Sequence, residues 1–278
     1  MQIGILQSAG IAGKIIEHAL NHPEHTDIFT PIIYSKENQN ERNVSSDLKF
    51  GNISAVVVAP GSATELKFNG SMTVFVDEHI RVAAVMEEET EELTGEFLAE
   101  RARKAWNCVK RDFYCSLPRI ALLSSGNEQT DKELLAPVVA ELNSNGVYVY
   151  GPYATEQFLS EGNHIHFDLT LAITKEQAQK VLTEVAEETY AKLQTALPIV
   201  VVQTGYSVTY DFDEGDLEKP AQALRNAVYT AMEVCRNRED YDQAHHDPLQ
   251  KLYHERRDDS EKVRFSIPRP KTPSESEQ

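Results

Sequence analysis

Apolar positions along the chain alternate between short unbroken runs and stripes at helical spacing. Gln2 to Leu6 is an apolar strand, and Ser8-Ala9-Gly10-Ile11-Ala12-Gly13 turns into a helix on which Ile11, Ile15 and Ala19 recur every four residues. The run Ala55-Val56-Val57-Val58-Ala59, closed by Pro60-Gly61, reads as a strand buried on both faces, the mark of a parallel sheet. Ile80 to Val85 reads as another strand. The following helix spans about Gly95 to Asp112, with Leu98, Ala102, Ala105 and Val109 on one side. Arg119 to Leu123 is a strand, and Thr130-Asp131-Lys132-Glu133 has the form of a capping box with Thr130 as N-cap. Leu134, Leu135, Val138, Val139 and Leu142 mark the helix behind it. Asn145-Gly146 ends that helix, and Val147 and Val149 alternate in the next strand. A strand at Phe167 to Ile173 meets a second capping box, Thr174-Lys175-Glu176-Gln177, and a helix carrying Ala178, Val181, Leu182 and Val185. Ile199 to Val202 is again a buried strand, and Pro220 suits the first turn of a last helix with the stripe Ala221, Leu224, Val228, Ala231 and Cys235. This rhythm predicts an α/β fold built on a doubly wound, mostly parallel sheet, whose ligands bind beyond the carboxyl ends of the strands. From about Glu239 the rhythm stops, so the chain is read as a body over 1–238 and a polar, mobile tail over 239–278.

Composition narrows the function classes. With 278 residues, 41% of them hydrophobic, the chain can bury a large core, while no apolar run approaches a bilayer span and the N-terminus lacks the form of a signal peptide. These features predict a cytoplasmic protein without a membrane partner. Lys and Arg total 27 against 44 Asp and Glu, a net charge of -17, which repels nucleic acid. The acidic run Glu87 to Glu89 with Glu91 and Glu92 reads as a solvated loop entering a helix. Cys108, Cys115 and Cys235 are too few and too scattered for a disulfide framework.

Several short motifs, in order, bring the chain close to a known family. Ala9-Gly10-Ile11, Ala59-Pro60, Ile80-Arg81-Val82-Ala83, Val109-Lys110-Arg111-Asp112-Phe113 before Pro118-Arg119-Ile120-Ala121, Gly151-Pro152, and Phe167-Asp168 with Leu171-Ala172 carry the likeness. Over roughly residues 1 to 236 the sequence resembles 4-hydroxythreonine-4-phosphate dehydrogenase, the NAD- and metal-dependent enzyme of vitamin B6 biosynthesis. The resemblance implies the two-lobed fold shared with isopropylmalate dehydrogenase, a homodimer, and a small-molecule ligand. It makes NAD a possible cofactor.

The same resemblance locates what has changed. The family's chemistry oxidises a secondary alcohol and then releases a carboxyl group, with a divalent metal held by three histidines as the electron sink. The three ligand positions read here as Glu88, Glu128 and Lys175, and the family's substrate motif becomes Asn69-Gly70-Ser71-Met72-Thr73. The candidate pocket is therefore Ser71, Glu88, Glu128 and Lys175, with no metal expected and the NAD-binding stretch reduced to about Thr209-Tyr210-Asp211-Phe212. Lys175 either sits as an ammonium between two carboxylates where the metal sat, or all three side chains face solvent. His164-Ile-His166 would place two imidazoles on one strand face, too few ligands for a metal by themselves. Two function classes stay open: a non-catalytic family member that binds a metabolite or a partner, and an enzyme, either one that retains a weak dehydrogenase activity or one with a remodelled site acting on a different small phosphorylated or carboxylated metabolite.

Overall fold

The structure is a computed structural model that describes residues 1–7, 12–21, 28–35, 44–60, 71–88, 90–186, 188–206 and 216–245. The chain divides into two units, Met1–Glu239 and Asp240–Gln278. Among the described residues there are ten strands, all in the first unit: β1 (Gln2–Leu6), β2 (Thr30–Tyr34), β3 (Ala55–Val58), β4 (Thr73–Val76), β5 (Arg81–Met86), β6 (Ile120–Leu123), β7 (Val149–Tyr153), β8 (Leu169–Thr174), β9 (Thr189–Gln194) and β10 (Val200–Tyr206). They form one sheet in the order β2-β1-β3-β10-β9-β4-β5-β8-β6-β7. The group β2-β1-β3-β10 is parallel, as is β5-β8-β6-β7. Between them β9 and β4 make three antiparallel pairings, so the two parallel halves run in opposite directions.

Helices cover both faces. On one side α1 (Ala12–Leu20), α3 (Gly95–Asp112), α5 (Ala136–Ser144) and α8 (Glu218–His245) pack Ile16, Leu98, Val138 and Leu224 against the sheet. On the other, α6 (Thr155–Ser160) and α7 (Lys175–Val185) pack Phe158, Val181 and Leu182. The strands serve both layers by simple alternation: Ile120 and Leu122 of β6 join the first cluster, Ala121 and Leu123 the second. That is why the run reads as continuously apolar. The short helix α2 (Val44–Lys49) covers Tyr34, Ile53 and Val56 with Val44 and Leu48. Gly151 has φ +124, and a Cβ there would lie 2.3 Å from the Leu122 carbonyl oxygen, so the β6–β7 approach requires glycine.

Several local expectations need correction. The N-cap before the helix at 128 is Asn127, whose side chain accepts from the N–H groups of Gln129 and Thr130. Thr130 is itself helical, at φ -58 and ψ -42, and makes no side-chain cap. The helix starts as α4 (Glu128–Thr130) and passes through a π-helical turn (Asp131–Leu135) into α5. Thr174 does cap α7 by accepting from Gln177 N–H, but the Gln177 side chain reaches one residue further back, to Ile173 N–H. Val147 precedes the strand, which begins at Val149. His164 and His166 lie in a 3-10 helix (Asn163–His166), where residues two apart do not share a face. The last helix continues to His245, past the point where the apolar stripe fades. The tail beyond it, with the histidines at 246 and 254, lies outside the described residues.

Candidate functional site

The register of the sheet gathers the expected pocket residues at one edge. Met86 of β5 pairs with Thr174 of β8, so Glu88 and Lys175 follow neighbouring strand ends. Glu128 follows β6, the strand on the far side of β8. Ser71 leads into β4, which runs antiparallel to β5 and so begins where β5 ends. In an open α/β sheet this carboxyl edge is where ligands bind.

The side chains do not form one cluster. Glu128 is 83% exposed and pairs with Lys132 at 2.6 Å, one turn along its own helix. Lys175 is exposed in the first turn of α7 beside Glu176, and Glu88 is exposed as well. Ser71 faces inward: its hydroxyl donates to Gln194 Oε1 at 3.1 Å, and its carbonyl accepts from Arg101 Nη1 at 3.0 Å. Among the described residues no group of three His, Cys, Asp or Glu side chains is placed to hold a metal ion. The residues that the sequence resemblance aligns with the family's ligand positions do not fit one either. An ammonium such as Lys175 has no lone pair to donate, and Glu128 is turned along its helix to Lys132. The stretch Thr209-Tyr210-Asp211-Phe212, read as the remnant of an NAD-binding segment, lies outside the described residues.

What the edge does hold is an open cleft of ≈ 490 Å³ beyond β6, β7 and β8, lined by Ser124, Ser125, Thr155, Thr174, Gln177 and Lys180 among others. Gln177 organises it. Its amide nitrogen donates to the Ser124 carbonyl at 2.8 Å and to Thr155 Oγ1 at 2.7 Å, while its amide oxygen accepts from Ile173 N–H at 2.7 Å. One side chain thus ties the ends of β6 and β8 to the start of α6. Asp131 braces the opposite wall, accepting from both hydroxyls of Ser124 (2.5 Å) and Ser125 (2.7 Å) and from Ser125 N–H at 2.9 Å. Neither Gln177 nor Asp131 was singled out by the sequence as a site residue. The only signal was their place in the two motifs that carry Lys175 and Glu128.

A second open cleft, ≈ 530 Å³, is lined by His79, Glu156, Leu159, His164, Ile165 and Glu184. Burial, then the neighbouring His79, lowers the pKa of His164.

The acidic run is not a solvated loop throughout. Glu91 accepts from the backbone N–H of Glu87 at 2.6 Å and of Glu88 at 3.1 Å, and it pairs with Arg101 at 2.8 Å. Glu87 in turn accepts from Thr73 N–H at 2.5 Å. The cause is Arg101, 7% exposed on α3, whose buried guanidinium needs a carboxylate partner.

Likeness to known proteins decides the family. A family profile described as "Pyridoxal phosphate biosynthetic protein PdxA" matches residues 59–231. The chain belongs to that family. A 4-hydroxythreonine-4-phosphate dehydrogenase from Bacteroides thetaiotaomicron is 32% identical over 210 residues, covering 71% of this chain and 57% of that protein. The chain thus spans little more than half the length of this curated relative. A solved structure from Salmonella typhimurium, assigned as a 4-hydroxythreonine-4-phosphate dehydrogenase, superposes with a TM-score of 0.64 at 12% identity, covering 84% of this chain and 99% of that one. A β-decarboxylating dehydrogenase from Thermococcus kodakarensis superposes with a TM-score of 0.51 at 11% identity, over 84% of this chain and 83% of its own. At those identities the two structures speak for the fold: the two-lobed α/β sheet of the PdxA and isopropylmalate dehydrogenase type.

Proposed function

We propose that this PdxA-family chain has lost metal-dependent oxidative decarboxylation and serves as a metabolite-binding or regulatory member. One observation supports the reading: the position that the resemblance aligns with a metal ligand is Lys175, an exposed ammonium directly after the end of β8. Glu128, at a second such position, is committed to Lys132. Without a Lewis acid at that edge, electrons released by decarboxylation have no sink. The ligand site is the cleft organised by Gln177 in the body 1–238, at the sheet edge where Ser71, Glu88 and Lys175 adjoin the strand ends. The tail 239–278 is available for contacts with a partner.

The chain works in the cytoplasm as a homodimer, a state supported by the edge strand β7, which ends the sheet with Tyr150 40% exposed. NAD, if bound, serves as a ligand rather than a hydride acceptor.

The test is NAD reduction by the purified chain with 4-phosphohydroxy-threonine, alongside measurement of bound divalent metal. No metal-dependent turnover is expected, and metal-dependent turnover overturns the reading. The retained cleft favours a second reading, an enzyme acting on another small phosphorylated or carboxylated metabolite. Thermal shifts with NAD and with pyridoxine-pathway intermediates identify which ligands the cleft accepts.

A further inference from the structure

At the same sheet edge, where β4 begins and β5 and β9 end, a set of hydrogen-bond donors converges on the chain's own carboxylates. Arg101 Nη2 and the N–H groups of Glu87 and Glu88 all point at the Glu91 carboxylate. Thr73 offers its N–H to Glu87 Oε1 at 2.5 Å and its hydroxyl to Glu87 Oε2 at 3.4 Å. Gln194, 6% exposed, closes the floor: it accepts from Ser71 Oγ and donates to Thr73 Oγ1, both at 3.1 Å. The Arg101 guanidinium lies against the Phe97 ring, 5.0 Å from its centroid, and its buried Nε has no hydrogen-bond partner among the described residues.

A buried guanidinium with adjacent backbone donors is the arrangement that recognises a carboxylate or phosphate. Here two of those acceptors come from the chain itself. The backbone donors, the N–H groups of Thr73, Glu87 and Glu88, belong to the segments that the resemblance aligns with the family's substrate motif and its first metal-ligand motif. We propose that this is an anion-binding site occupied from within: Glu91, with Glu87, stands in for the anionic group of a ligand and keeps external carboxylates and phosphates out. Wild-type protein then binds anionic metabolites here only when the Glu87 and Glu91 carboxylates give way. The inference rests on the non-catalytic reading only for its meaning; its test does not depend on NAD or metal.

Chemical rescue tests it. Glu91→Ala leaves the Arg101 guanidinium and two N–H groups around an empty position the size of a carboxylate. The melting temperature of the full-length variant should fall by several degrees. Formate, acetate or inorganic phosphate at tens of millimolar should restore most of that loss, while chloride at equal ionic strength should not. Wild type and the exposed-site variant Glu92→Ala should show no anion-specific gain. Glu87→Ala gives a second cavity, lined by Thr73, should Glu91→Ala fail to fold. Anion-specific rescue of either variant supports the proposal. Equal response to chloride, or equal response in wild type, overturns it. So does failure of both variants to gain stability from any of the three anions. Turnover with NAD would instead overturn the non-catalytic reading and leave this result standing.

Discussion

Burial acts on the Asp131 carboxyl to raise its pKa, but hydrogen bonds from Ser124 and Ser125 outweigh it and hold the group below its usual 3.8. A depressed carboxylate pKa contributes stability above the unfolded value and loses it as pH falls through the folded value. We predict that a Ser124→Ala, Ser125→Ala double variant is less stable than wild type at pH 7 and that the gap narrows below about pH 4. Urea unfolding at pH 7 and pH 3 measures it, and a gap independent of pH counts against the assignment. A second residue-level prediction concerns Arg238, whose Nε and Nη2 reach the Asp112 carboxylate at 2.7 and 3.2 Å while Nη1 donates to the Leu197 carbonyl. Both side chains are under a tenth exposed. Arg238→Ala strands a buried carboxylate and should cost about 3–5 kcal/mol in denaturant unfolding. A loss under 1 kcal/mol would place the pair among ordinary surface contacts.

At the scale of elements, the start of the helix at 128 separates what the sequence could show from what it could not. The pattern Thr130-x-x-Glu133 has the right letters for a cap, yet Asn127 makes the bonds. Both residues are cap formers, and only the distance from Leu123 to the helix decides between them. We predict that Asn127→Ala costs about 1 kcal/mol while Thr130→Ala is near neutral, read from chemical unfolding of the two variants. The opposite order would restore Thr130 as the cap. The longer helices α1, α3, α5, α7 and α8 and the buried parallel strands are legible because their periods are uninterrupted, whereas the six-residue helices α2 and α6 are too short to show one. The seam strands were not. Thr189–Gln194 mixes Thr, Lys and Gln with apolar residues, and Thr73–Val76 is only four residues long. Their identity as strands comes from pairing with each other and with β5 and β10, which sequence periodicity does not contain. The site divides the same way. The strand-end positions of Glu88, Glu128 and Lys175 followed from motif order, whereas the Arg101–Glu91–Glu87–Thr73–Gln194 chain joins residues up to 121 apart in sequence.

At the scale of the whole molecule, charge has a location as well as a total. Residues 246–278 hold seven Asp and Glu and seven Lys and Arg, so the net charge of -17 sits entirely on residues 1–245. A folded body with that excess repels itself, and the repulsion reaches about 30 Å at 0.01 M salt but only about 8 Å at 0.15 M. Salt also weakens surface ion pairs such as Lys132–Glu128, Lys180–Glu156 and Lys219–Glu188, but exposed pairs contribute only about 0–1 kcal/mol each. The buried pair Arg238–Asp112 is shielded from mobile ions, and the part-buried pair Arg101–Glu91 is screened less than the exposed ones. Relief of repulsion should therefore win, and the melting temperature should rise as sodium chloride goes from about 10 mM to about 0.5 M, most steeply at the low end where the screening length changes fastest. A falling melting temperature would mean that exposed ion pairs, not the sheet and its two helical layers, dominate the balance. Chloride is the right salt for the scan, because phosphate or sulfate would add preferential exclusion and hide the sign of the electrostatic effect.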